Sequence, residues 1–340
     1  MGRHDGVIES LLKSPEPSVR FKVRVYVLGE DVRSGAIRKL RDEVRESRRV
    51  KRLLRLRDRD GRITQVRGVY DKWKGPHWVL TALADLGYPE GNHSLHPIRD
   101  QVLDYWLHDR FFREFDADRK ASSYGKIGVP RIRGRHRRCA SQQGNALLSV
   151  LRLGIDDGRA AKLVERLLHW QWPDGGWNCD KEPSADTSSF METLLPMRGL
   201  AMYAKQTGDA AAARAADRAA GVFLSRKLYK RRSEGKVIRA DFVKLCYPYY
   251  WHYNILAGLV AMAEMGRIDD PRCRDALDLL ESKQLPGGGW TANMRYYKVS
   301  PAVIAPTGTD AVDWGGAGAR RMNEWVTADA LAVLRAADRI

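Results

Sequence analysis

His169-Trp170-Gln171-Trp172-Pro173-Asp174-Gly175-Gly176-Trp177-Asn178-Cys179-Asp180 packs three tryptophans and two adjacent glycines into twelve positions. The stretch recurs. Gln171 to Trp177 returns 113 residues later as Gln284-Leu285-Pro286-Gly287-Gly288-Gly289-Trp290. The flanks repeat as well: Gly154 to Arg159 (GIDDGR) mirrors Gly266 to Arg272 (GRIDDPR) with one inserted residue. A weaker copy, Arg57 to Ile63 (RDRDGRI), keeps an Asp-Gly pair and replaces both ends.

Each copy lies in similar surroundings. An apolar segment ending in Gly comes first: WVLTALADLG (78–87), NALLSVLRLG (145–154) and ILAGLVAMAEMG (255–266). A short polar turn follows, then a one-sided helix such as 160–170, where Leu163, Val164, Leu167 and Leu168 recur at helical spacing. The segments 192–204 and 209–228 form another such pair, and 327–337 belongs to a last one. The first helix of each pair is apolar nearly all round, so it belongs inside a ring, and the second belongs outside. Repeats of this kind stack, because no unit buries its apolar face alone. The sequence therefore predicts an all-α fold: an α/α-toroid of about six helical hairpins, with residues 1–340 as one domain that includes the basic hairpin 1–74. Val19 to Val27 alternates in the manner of a strand. The repeat asks for an inner helix there, and Pro17 suits a helix first turn.

The chain has 340 residues and a net charge of +17. Residues 1–74 carry 21 Lys/Arg against 11 Asp/Glu, and Arg119 to Arg138 carries eight basic residues and no acidic one. Such a field favours anions, among them nucleic acid, acidic lipid or phosphorylated substrates. The aromatics sit in the repeats rather than among the basic runs, which argues against base stacking. No apolar run is long enough to span a membrane, and the N-terminus has no signal-peptide core, so a cytoplasmic chain is expected. Cys139, Cys179, Cys246 and Cys273 form no CxxC pair, and free thiols are expected.

The element Gln-x-x-Asp-Gly-Gly-Trp at the end of an outer helix resembles the QW motif of squalene and oxidosqualene cyclases, whose toroid is shared with protein prenyltransferase β-subunits. The phrases GGWNCD, SSFMETLLPMRGL, YYWHYNILAGL and NEWVTADALAVL resemble bacterial single-domain squalene-cyclase-like proteins. The resemblance implies that Gln171, Asp174, Trp177, Gln284 and Trp290 are structural. It implies a terpenoid cyclase- or prenyltransferase-like protein with an apolar or prenyl-diphosphate small molecule in a central cavity. The rival expectation is a non-catalytic module that binds nucleic acid or acidic lipid through its basic surface.

In such a toroid the loops entering the inner helices surround one end of the cavity, so chemistry is sought there. Asp186 or Glu192 is the candidate acid, and His252 a base or ligand. Tyr250, Trp251 and Tyr253 are candidate cavity walls whose π faces would stabilise a cation. Asn178 is a candidate substrate contact. Arg137 and Arg138, with Arg131, Arg133 and Arg135, would meet a diphosphate. Hopene-type cyclases protonate with Asp-x-Asp-Asp-Thr; here only Asp186-Thr187 remains of it. Protein prenyltransferases hold zinc with Asp-x-Cys and a distant His, whereas Asp186-Thr187-Ser188 carries Ser. A substitute zinc set is Cys139, Cys179 and His252 (or Cys246), all ahead of successive inner helices. Against these stand plainer readings: helix N-caps for Asp186 and Ser188, and buried packing for the thiols and aromatics.

Overall fold

The computed structural model describes residues 4–300, 302 and 306–340. The fold is all-α. In chain order the helices are α1 (Asp5–Leu12), α2 (Pro17–Lys22, continued by a π-helical turn Val23–Val27), α3 (Gly35–Glu46), α4 (Arg48–Leu54), α5 (Pro76–Leu86), α6 (His96–Trp106), α7 (Ala140–Arg152), α8 (Ala160–Trp170), α9 (Phe190–Thr207), α10 (Ala210–Leu224), α11 (Ile255–Glu264), α12 (Arg274–Ser282) and α13 (Glu324–Ala336). Short strands β1 (Glu114–Asp116), β2 (Val129–Ile132) and β3 (Arg135–His136) form a small sheet between α6 and α7, in the order β1-β2-β3.

The segments that are apolar all round become an inner ring. α5 packs on α7, α7 on α9, α9 on α11 and α11 on α13. α13 then packs on α2 and its π turn. α2 meets α5 through a Lys22–Asp85 ion pair and through Phe21, which fills the space where a Cβ on Gly87 would sit. The ring is thus closed by six inner helices. The one-sided helices lie outside: α3 on α2, α6 on α5, α8 on α7, α10 on α9 and α12 on α11. α1 completes the outer layer on α2 and its π turn, and Ser14, just after α1, donates to Glu324 at the start of α13. The closest inner contact, α7 with α9, depends on two glycines. A Cβ on Gly144 would fall 2.3 Å from the Pro196 nitrogen, and one on Gly199 2.9 Å from the Gly144 carbonyl.

The alternating segment 19–27 is helical. Pro17 opens it, the Glu16 side chain accepts from the Ser18 N–H, and Val19, Val23 and Val27 share one buried face. The same four-residue spacing satisfies the alternation that reads as a strand.

The Gln171–Trp177 element clamps three helices. The Gln171 amide donates to Gly175 O within its own turn at 2.7 Å and to Ala215 O of α10 at 2.8 Å. The Trp177 indole, buried, donates to Leu167 O of α8, and the Trp177 N–H donates to Thr193 Oγ1 of α9. Gly175 sits at φ +103°, with the Arg218 carbonyl 2.5 Å from where a Cβ would be. The second copy uses the same bonds: Trp290 Nε1 to Leu280 O, and Trp290 N to Thr327 Oγ1. Gln284 there meets His4, just ahead of α1. The weak copy lacks its Gln, and Gln101 of α6 supplies the amide instead, pairing with both backbone groups of Ile63 at 2.9 Å. Asp156 and Asp270 accept from backbone N–H groups at the starts of the segments that follow them, as turn residues should.

The axis of the ring carries charge where the sequence reading places an apolar cavity. Each inner helix contributes one charged residue: Lys22, Asp85, Arg152, Arg198, Glu264 and Asp329. Lys22 pairs with Asp329 at 2.9 Å and Asp85 at 3.3 Å. Arg198 grips Glu264 with two bonds of 2.8 Å, and Arg152 pairs with the same carboxylate. Tyr247 donates to Asp85 and Tyr249 to Asp329. Burial alone would raise Glu264, but Arg152 and Arg198 outweigh it and hold the carboxyl at about 2. Between this circuit and the loops that enter the inner helices lies a cavity of about 40 Å³, bordered by Asp85, Asn145, Arg152, Arg198, Tyr249 and Tyr250. That is room for a few waters.

Candidate active site at the ring mouth

The chain segments entering α7 and α9, with the first turn of α9, bring three reactive side chains together. The ligand-capable atoms of Cys139, Cys179 and Glu192 lie within 4.8 Å of one another. Local structure explains the convergence. Arg137 and Asn178 form a parallel β-bridge, which sets the strand leading to Cys139 beside the turn leading to Cys179. The buried Arg137 guanidinium locks that arrangement by donating to Asp180 O at 3.1 Å and Ala185 O at 2.8 Å. Asn178 braces the same loop through Thr187 O and the Asp180 N–H. Ser188 is tied to Asp174 of the clamp by its N–H and its hydroxyl, which fixes where α9 begins. Glu192 then projects from the first turn of α9.

Glu192 accepts the Ser141 N–H on Oε2 at 3.0 Å and the Cys179 thiol on Oε1 at 3.3 Å. Burial pushes its carboxyl above the ordinary range, and those two donors with Arg138 only partly offset this. The Cys179 thiol is pushed far up by the adjoining Cys139 sulfur, by burial and by Glu192. The group is therefore a carboxyl pushed upward by burial beside a thiol that stays protonated.

Around it stand cations and aromatics. Lys72 lies 4.9 Å over the half-buried Trp251 ring and within electrostatic reach of Cys139. Lys181 is held over Tyr124 at 3.7 Å. Arg138 donates to Gln142 and lies over Phe111. Tyr70, whose hydroxyl burial pushes well up, packs on Trp78, His77 and Trp106 within reach of Glu192 and Cys139. The buried Trp251 indole nitrogen has no hydrogen-bond partner among the described residues.

The expected residues are distributed as follows. Cys139 and Cys179 come together, but Glu192 takes the third position where the sequence reading placed His252. His252 is sandwiched between Trp251 (4.0 Å) and Tyr296 (3.3 Å), with Nδ1 on Tyr249 O. Burial lowers it to about 4, so it is a neutral imidazole. Cys246 is buried elsewhere and receives the Asn254 amide. Asp186 is exposed in the loop before α9 and is not part of the thiol–carboxyl group. Tyr250 stacks on Trp73 at 3.8 Å and donates to Asp310. Tyr253 donates to Leu228 O within a cluster of Phe190, Phe223 and Phe242. Tyr70, Lys72 and Trp73 went unnoticed in the sequence. Their one signal there is the cluster of aromatic and basic residues just ahead of an inner helix.

Comparison with protein-family models finds no match, and comparison with curated proteins finds none. Among solved structures, the apo type II terpene cyclase MstE from Scytonema is 15% identical, with a TM-score of 0.42, over 95% of this chain and 88% of that one. A variant of the same cyclase in complex with geranylgeranyl dihydroxybenzoate is 13% identical, with a TM-score of 0.43, over 96% and 88%. A protein from Actinoplanes is 17% identical, with a TM-score of 0.44, over 95% and 90%. Likenesses at this level assign no chemistry to the chain, so function rests on the site itself.

Proposed function

We propose that this chain is a terpenoid cyclase-like enzyme that acts on a prenyl substrate at the ring mouth, with Glu192 as the proton donor. The observation that supports the reading is the Glu192 carboxyl. It is pushed upward by burial, fixed by the Ser141 N–H, and set among aromatic rings. The sequence resemblance points to the same substrate class.

The reaction needs no redox partner. The Glu192 O–H bond breaks and its proton forms a C–H bond at the terminal alkene carbon of the prenyl chain. The tertiary cation left behind is attacked by the next double bond, which closes a ring. Tyr70 and Trp251 present π faces to that cation. Loss of a ring proton to the Glu192 carboxylate restores both the alkene and the acid. Lys72, Lys181 and Arg138 would receive an acidic head group, and the axial charge circuit keeps the apolar chain at the mouth. Arg137 is a positioning residue, since its donors go to backbone carbonyls.

Incubation with prenyl diphosphates and geranylgeranyl dihydroxybenzoate in D₂O tests this. The expected product is an isomer of the substrate carrying one deuterium, and Glu192→Gln should lower the rate by about 10²–10⁴-fold. Full activity in that variant would remove Glu192 from the chemistry.

A second reading is favoured by the convergence of three ligand atoms within 4.8 Å. Two thiolates and a carboxylate fit zinc with a fourth position open, and the cation would offset the burial and crowding that push Cys179 and Glu192 upward. Zinc bound there would serve as a Lewis acid. Cys139, Cys179 and Glu192 would hold it, and the Ser141 N–H would orient the carboxylate. Native mass spectrometry decides between the readings: a zinc-mass adduct lost on Cys179→Ser selects the metal, and a metal-free active enzyme selects the acid.

A further inference from the structure

The clamp sequence His169-Trp170-Gln171-Trp172 has a second use outside the ring mouth. We propose that Glu114, His136 and His169 form a divalent-metal site of the zinc-binding class on the outer rim. Glu114 lies on β1, His136 on β3 and His169 in the last turn of α8. Their ligand atoms lie within 4.8 Å of one another. His169 Nε2 is 2.8 Å from Glu114 Oε1, and His136 Nε2 is 3.1 Å from Glu114 Oε2. The two imidazoles are 4.7 Å apart, centroid to centroid. Two Nε2 atoms therefore converge on one carboxylate, the donor set that suits Zn²⁺.

The ligands are positioned from behind by the two tryptophans that alternate with the clamp residues. Trp170, fully buried, donates its indole N–H to Glu114 Oε1 at 3.3 Å. Trp172, also buried, donates to the His136 carbonyl at 2.8 Å. Such outer contacts orient metal ligands in known sites. The positive neighbour Arg131 is neutralised by Asp116, with bonds of 2.7 and 3.0 Å. His169 is half exposed, so solvent completes the coordination.

The site is independent of the ring mouth, and the test must keep the two apart. Untagged full-length protein carrying Cys139→Ser and Cys179→Ser is stripped with chelator and titrated with zinc by calorimetry. One zinc per chain is expected, with affinity falling at least tenfold in His169→Ala and in Glu114→Gln. His93→Ala, at a surface pair of histidines without the carboxylate, should leave binding unchanged. If the serine background does not fold, cobalt(II) replaces zinc in the wild-type chain. Metal on the rim then binds without a thiolate charge-transfer band, and His169→Ala abolishes that sulfur-free component. No zinc bound at tens of micromolar, binding indifferent to His136→Ala and His169→Ala, or cobalt that is wholly thiolate-bound would overturn the proposal.

Discussion

The ring has two polar centres, and they are built on opposite principles. Along the axis, every buried charge has a partner of opposite sign: Lys22 has two carboxylates, and Glu264 has two guanidiniums. At the mouth, Glu192 and two thiols share a crowded space, and among the described residues no cation forms an ion pair with the carboxyl. Paired charges hold helices together. An acid that only N–H and S–H donors reach is pushed upward by burial, toward the form that can give a proton. The difference teaches where to look for chemistry in a molecule rich in charge: the place where charge is withheld.

The comparison is broken most strongly from the axial side. Lys22→Met leaves Asp329 without its cation and Asp85 with only Arg152, at 3.9 Å. A loss of about 3–5 kcal/mol in unfolding free energy is expected in urea titrations. Arg198→Met should cost somewhat less, about 2–4 kcal/mol, because part of Glu264 meets water and Arg152 still reaches it. Losses under about 1 kcal/mol in both variants would mean that the circuit does not hold the ring closed.

Acid and base should act on the two centres in opposite directions. The Glu264 carboxyl sits at about 2, below its ordinary range. Its contribution is complete above the ordinary carboxylate range and is lost as pH falls toward 2. Glu192 is shifted upward, so the stability of its protonated form is lost as pH rises past the ordinary carboxylate range. Glu192→Gln should therefore gain stability relative to the parent as pH rises from acid through that range. Unfolding curves of both proteins across that range check this. An unchanged difference would mean that Glu192 is already ionised in the folded state, as zinc ligation would make it.

The sequence carried the scaffold better than the site, for a physical reason. Inner and outer helices differ in how much of their circumference is apolar, and that difference is local, so the hairpins are legible from pattern alone. Cys139 and Cys179 were also legible, since both precede inner helices. Glu192 was legible as a candidate acid, but not as the third member beside the thiols. That placement follows only once Ser188 and Asp174 fix the start of α9. His252 misled because its neighbour Tyr250 adopts φ +51°, a turn that no pattern in Tyr249 to Tyr253 announces. The charge circuit was invisible for another reason. One charged residue per helix is unremarkable until closure of the ring brings Lys22, Asp85 and Asp329 together. Glu114 and His136 sit on strands of three and two residues, too short to carry a period.

The smallest effects separate the two copies of the clamp. Gln171 donates to two backbone carbonyls, Gly175 O and Ala215 O, and also receives Arg218. Gln171→Ala strands both carbonyls and should cost about 1–3 kcal/mol. Gln284 has an imidazole, His4, as its partner just ahead of α1. Gln284→Ala should cost only about 0.5–1 kcal/mol, since the imidazole finds water instead. Equal costs would mean that α1 is as firmly part of the outer ring as α10. A cost at position 284 alone would mean that the ring is closed chiefly by its ends, through α1 against α13, rather than clamp by clamp along the chain.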